Sequence, residues 1–265
     1  MIHAENSNDF CRPTLLISRC LNQDNCRYNA QVLEDQILSK LEAYIDFKFV
    51  CPEVEIGMST PRPPIRIIRN GEGLDLVQPL SGISFYESMA HFSRSRLNAF
   101  KNIDGFIMKA RSPSCGLLNT PYYAGVDGDE ISGHGSGIFT DIAEQLFPNL
   151  AFTDEDHLRK QGYASTFFTV CFASAKLRDL NISLEEFHRE YVSLLRLKDE
   201  SCIAILENHV ESDSREQYKN LALSILKTNQ SHNRSGKMQK KAMEALFEKG
   251  GSFKPFPAAL EKVWT

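Results

Sequence analysis

Through the first two thirds of the chain, short continuous apolar runs alternate with segments whose apolar residues recur every three to four positions. Such runs suit buried strands and such spacing suits helices with one face inward, so the alternation predicts a parallel sheet with crossover helices. TLLIS (Thr14 to Ser18) is the first predicted strand, and Val32, Leu33, Ile37, Leu38 and Leu41 give residues 30–44 helical spacing. FKFV (Phe47 to Val50) is the second strand, ended by Pro52, which has no amide hydrogen for a ladder. TPRPP then leads into IRII and LDLV, two extended pieces expected to pair as an edge hairpin. A helix is predicted over residues 86–100, and FIMK (Phe106 to Lys109) is the third strong strand. GVDGDE carries an Asp-Gly turn, and GHGSG reads as a glycine-rich loop opening the helix IFTDIAEQLF.

Beyond about Gly162 the pattern is helical, over residues 164–180, 183–197, 215–227 and 237–249. Ser183 and Glu186 have capping-box spacing at the second of these. The prediction is an α/β domain of Rossmann-like parallel-sheet type over residues 12–162 and a smaller all-α domain over 163–265.

Composition narrows the partners. Of 265 residues, 42% are hydrophobic and 24% charged, enough apolar content to bury a core. The formal net charge of -4 offers no general attraction to phosphate backbones, so nucleic acid is not the expected partner; the basic stretch KTNQSHNRSGKMQKK reads as a solvated loop and helix face. No apolar run approaches the ~20 residues of a membrane span, and MIHAENSNDF has no signal-peptide pattern, so a cytoplasmic chain is expected.

Seven cysteines without an export signal suit thiols or metal ligands better than a disulfide framework. Cys171 and Cys202 lie in apolar settings and read as small buried hydrophobes; Cys11 lies in the polar leader. Cys20, Cys51 and Cys115 each follow a predicted strand, where loops of an open parallel sheet converge on a ligand. Three thiolates without a histidine nearby favour zinc or an iron-sulfur cluster, and the proline-containing turns CPE and SPSCG favour the cluster. Three ligands for four irons leave one iron open as a Lewis acid; Cys26, in NCRYN, would close the site if it were a fourth. Glu53 and Glu55 share a face if CPEVE is extended, and Glu53 is a proton-transfer candidate. Ser112 and Ser114 can bond a substrate or shape the turn, and Arg27, Tyr28 and Arg62 suit a planar polar ligand. Gly133, Gly135 and Gly137 can present amides to an anion.

At ISRCL, CRY, CPEVEIGMSTPRPPIR, DGFIMKARSPSCG and GHGSGIF the chain resembles the thiouracil desulfidase family, over roughly residues 13–160. The resemblance implies a [4Fe-4S] cluster on Cys20, Cys51 and Cys115, and a non-redox removal of sulfur from a thiocarbonyl substrate such as 2-thiouracil, giving uracil and sulfide. It implies acid/base roles for Glu53 and Ser112; Arg27, Tyr28, Arg62 and Ser114 are, from their residue types and placement, the candidates for binding such a small thiolated substrate. Arg19 replaces the small residue usual before the first cysteine, and CLNQDNCRYNAQ lacks the usual glycines, departures that bear on the pocket more than on the cluster. FHREY and ENHV are similar to a second helical family of unknown function. The alternative is an iron-sulfur sensing protein that signals through its helical part.

Overall fold

The computed structural model describes residues 10–21, 26–29, 36–71, 73–227, 256–257, 260 and 262–264. In chain order the elements are β1 (Thr14–Ser18), α1 (Gln36–Leu41), β2 (Asp46–Val50), α2 (Pro52–Glu55), β3 (Arg66–Asn70), β4 (Gly73–Gln78), β5 (Ile83–Ser84) and α3 (Tyr86–Asn98). Then come β6 (Gly105–Met108), β7 (Thr120–Tyr123), β8 (Ile131–Gly135), α4 (Ile138–Leu146), β9 (Ala151–Asp154) and α5 (Glu155–Leu158). The helices α6 (Gln161–Arg178), α7 (Leu184–Lys198), α8 (Ile203–Glu211) and α9 (Arg215–Lys227) follow.

The expected parallel sheet is present, in the order β2-β1-β6-β9 with every pairing parallel. The inner strands β1 and β6 read as near-continuous apolar runs because helices cover both faces, whereas edge strand β2 alternates half-exposed and exposed residues before Val50. Strand β9, AFTD, closes the other edge; four residues with one strongly apolar side chain had given no strand signal. Phe106 of β6 stacks on Phe152 of β9 with ring centroids 4.3 Å apart, which fixes their register face to face.

The predicted hairpin is β3 and β4, antiparallel, and it belongs to a second, five-stranded sheet in the order β5-β4-β3-β7-β8. Here the glycine-rich stretch departs from expectation. Residues 131–135 pair with β7 as a strand, and the helix opens only at Ile138.

Helix α6 begins at Gln161, so the expected boundary at 162 falls in its first turn, and its buried residues continue the core of the sheet. It is apolar nearly all round because it is packed on β9 on one side and on α7 and α9 on the other. At the starts of the strands, buried Asp104 accepts hydrogen bonds from the Thr14 amide at 2.9 Å, Ser174 Oγ at 2.9 Å and Arg178 Nη2 at 2.7 Å. Gly105 lets α6 approach closely, since a Cβ there would lie 2.5 Å from Cys171 Sγ. Cys171 is fully buried as expected. Cys202 is not: it sits half-exposed in a 3-10 turn with its thiol 3.3 Å from Asp199 Oδ2.

Ser183 caps α7 through the Glu186 amide at 3.1 Å, and α8 is a helix that the apolar spacing had not marked. The chain end returns to the sheet region: Trp264 Nε1 donates to the Leu158 carbonyl at 2.8 Å. Residues 30–35 of the first predicted helix, the basic stretch 228–241 and the predicted helix 237–249 lie outside the described residues. No helix among the described residues is long and apolar enough to cross a membrane.

Candidate active site

The carboxyl ends of β1, β2, β6 and β9 share one edge of the parallel sheet. Ser18 is in register with Val50, and Ile17 with Ile107, so Cys51 and the loops carrying Cys20 and Cys115 all leave from that edge. Topology thus turns separations of tens of residues into neighbourhood.

Cys51 is the N-cap of α2, with extended backbone and Pro52 in the first turn, where its missing amide hydrogen costs nothing. Contrary to the extended reading, CPEVE is therefore a helical turn, and its two glutamates face different partners. Glu55 accepts the Cys51 amide at 3.1 Å and pairs with Arg19 at 3.3 Å and Arg96 at 3.5 Å. Glu53 points across to the SPSCG loop. Its Oε2 accepts from Arg62 Nε at 2.9 Å and Nη2 at 2.5 Å, and its Oε1 accepts from Ser114 Oγ at 2.9 Å. Arg62 is held in turn by donating to the Ser59 carbonyl at 3.0 Å and Thr60 Oγ1 at 3.2 Å. Both Arg62 and Ser114 are buried, so this carboxylate has a fixed orientation.

The SPSCG loop is fastened at both ends. Ser112 Oγ accepts the Ser114 and Cys115 amides at 3.2 and 3.1 Å, which leaves its single proton as the group it can donate. The first turn of α4 points its amides at the loop: Ile138 to the Pro113 carbonyl at 3.1 Å and Phe139 to the Ser114 carbonyl at 2.9 Å. Thr140 Oγ1 donates to the Cys115 carbonyl at 2.9 Å. Gly137 is required for this approach, because a Cβ there would lie 2.5 to 2.7 Å from Ser114 C, Ser114 O and Ser112 O. Gly137→Ala is expected to push α4 off the loop and destabilise the fold by roughly 1–3 kcal/mol. Thermal denaturation of the metal-free protein measures it, as a melting temperature lower by about 3–10 °C.

Glu155 holds the upstream end, accepting the Ala110 amide at 2.7 Å and the Lys109 ammonium.

The thiols divide. Cys26, Cys51 and Cys115 are 4%, 9% and 5% exposed, and Cys20 is half-buried at the rim of the apolar core. The Cys51 thiol donates to the Cys26 carbonyl oxygen at 3.9 Å. Hydrogen bonding with Cys26, and after it burial, pushes the Cys51 pKa far above its ordinary value, opposed by the Val54 amide in the first turn of α2. Burial likewise raises the Cys115 thiol, opposed by a hydrogen bond from Ser18, with the neighbouring Cys51, Glu53 and Cys26 charges raising it further. Ser18 Oγ also accepts the Lys109 amide at 3.0 Å. Arg27 lies 5.8 Å from the Tyr28 ring, and Tyr28 is exposed.

Of the residues expected from sequence, Cys51, Cys115, Glu53, Arg62 and Ser114 are thus brought together, with Ser112 in the same loop; Arg27 and Tyr28 stand further out. Ser18, Glu155 and the inward place of Cys26 carried no signal that sequence reading used, although a serine ending an otherwise apolar strand was the available one.

The family described as 2-thiouracil desulfurase matches residues 15–155, which include all of these groups and more than half of the chain. The chain belongs to the 2-thiouracil desulfurase family. Within a curated relative, the uncharacterized protein YbbK of Bacillus subtilis (strain 168), 33% of 129 aligned residues are identical, covering 46% of this chain and 84% of that protein. A solved structure described as a [4Fe-4S]-dependent thiouracil desulfidase, TudS, is 28% identical, with 56% of this chain and 93% of that one covered and a TM-score of 0.45. The family match ends at α5, so it assigns the desulfurase part of the chain to the two sheets and leaves α6 to α9 outside it.

Proposed function

We propose that this desulfurase removes sulfur from a small thiocarbonyl substrate of the 2-thiouracil class, without net redox change, at a [4Fe-4S] cluster held by Cys20, Cys51 and Cys115. The observation that carries the reading is the pairing of buried thiols with an oriented carboxylate: Cys51 and Cys115 beside Glu53, which is fixed by Arg62 and Ser114.

The donor set fits such a group. Cys51 and Cys115 are soft thiol donors held out of water in adjoining loops, the ligand type that an iron-sulfur cluster takes.

When bound, a cluster held by Cys20, Cys51 and Cys115 would supply a soft Lewis acid, which polarises a thiocarbonyl C=S bond. Glu53 then accepts a proton from the attacking water, on a carboxylate whose orientation Arg62 and Ser114 fix. Ser112 donates its hydroxyl proton to the ring atom on which charge develops. As the new C–O bond replaces the C–S bond, the ring returns its proton to Ser112 and the water's two protons end on sulfur as hydrogen sulfide, one of them passing to solvent where HS⁻ is released, so no electrons are exchanged. Anaerobic loading followed by incubation with 2-thiouracil tests the reading: uracil and sulfide are expected in equal amounts from iron-loaded protein. An iron-loaded protein that releases neither overturns the substrate class.

A further inference from the structure

The structure gives Cys26 a place that three-cysteine ligation does not use. Its segment enters the site from the side, and Tyr28 anchors it by accepting the Arg62 amide at 2.9 Å. The same Arg62 carries Glu53 on its side chain, so the thiol and the acid/base group hang from one residue. Cys26 is buried, and its carbonyl oxygen accepts from the Cys51 thiol at 3.9 Å, so it packs directly against a proposed ligand. A cysteine held in contact with one proposed ligand, on a segment fastened to the residue that orients Glu53, is placed to act as a further donor.

We infer that Cys26 is an exchangeable fourth thiol donor: it occupies the coordination position that three cysteines leave open and yields it to the sulfur of the incoming substrate. The inference rests on the cluster reading above. As the metal–sulfur bond forms, the Cys26 proton passes to solvent; a proton returns when that bond breaks, and no electron moves. The internal thiol shields a soft, exposed metal position while substrate is absent. It also lowers the apparent affinity for any outside ligand by the fraction of sites it leaves free. Exchange favours a ligand that is itself a soft sulfur donor over water or an oxygen donor, so Cys26 sets a threshold that thiocarbonyls pass and their carbonyl products do not. Release of uracil follows from the same preference.

The test uses full-length wild-type protein, Cys26→Ala and the nearly isosteric Cys26→Ser, all loaded anaerobically. Iron and sulfide content, the electron paramagnetic resonance spectrum of the reduced protein and a cyanide titration are measured. All three proteins are expected to hold about four irons. The variants are expected to give a changed spectrum and to bind cyanide at concentrations about tenfold lower, as for an internal ligand occupying about nine tenths of the sites. Superimposable spectra with equal cyanide midpoints overturn the inference. So does loss of iron from both variants, which makes Cys26 a permanent ligand. A wild-type protein that holds no iron sinks the cluster reading itself, a result distinct from either.

Discussion

Alanine at Cys51 or Cys115 is expected to leave a folded protein that no longer retains iron and that turns over thiouracil about 10^3-fold or more slowly, the loss of a Lewis acid worth several kcal/mol. Both thiols are buried and close to neutral without metal, so their removal costs the metal-free fold little, and a melting curve of the unloaded variants should resemble that of the wild type. The difference emerges on loading. Wild-type protein is expected to gain stability from a ligand that binds only the folded state, and the variants are not. Cys171→Ala is the matched control, because Cys171 is equally buried but lies against Gly105 at the opposite ends of the strands. It should retain iron in full. Iron retention in both Cys51→Ala and Cys115→Ala would remove these thiols from the cofactor's ligands.

Glu53→Gln separates holding the cofactor from using it. The amide keeps the shape but has one oxygen where the carboxylate has two, so it cannot accept from Arg62 and Ser114 together. Iron content is expected to remain near that of the wild type, while turnover falls by about 10^2–10^4-fold, the usual range for a lost acid/base group. Because Arg62 is buried and loses its charged partner, the melting temperature falls as well, and turnover must be compared at a temperature where both proteins are folded. Turnover within a factor of two or so of the wild type would exclude proton transfer by Glu53.

The strands that place the thiols were legible because a buried parallel strand must be apolar throughout, and TLLIS, FKFV and FIMK each end in a loop with a cysteine. The second sheet was less so. Its strands are short, interrupted by glycine and proline and partly exposed, so GHGSG reads as a loop until β7 lies beside it. Strand β9 was missed because AFTD is buried by its neighbours, not by its own apolar content. Within the site, the residue types were readable and their pairing was not. Glu53 and Arg62 meet across a proline-containing loop, and nothing in the spacing distinguishes an arginine that holds a carboxylate from one that awaits a substrate. The position of Cys26 depends on how the chain returns from β1, which local sequence does not encode. Ser18 shows the converse: it ends the best-predicted strand, yet its contact with Cys115 exists only because β6 runs alongside.

The Asp104 network and the Gly105 contact lie at the starts of β1 and β6, and the thiols at their ends, a separation of about 15 Å along four or five residues of strand. Helix α6 is bolted to the first of these edges by Arg178 and Ser174. Part of the protein's heat tolerance therefore has an address away from its chemistry. Changes in the helical layer can raise or lower the temperature at which it survives without altering the rate at which it strips sulfur, and natural variants can drift in one property while the other stays fixed.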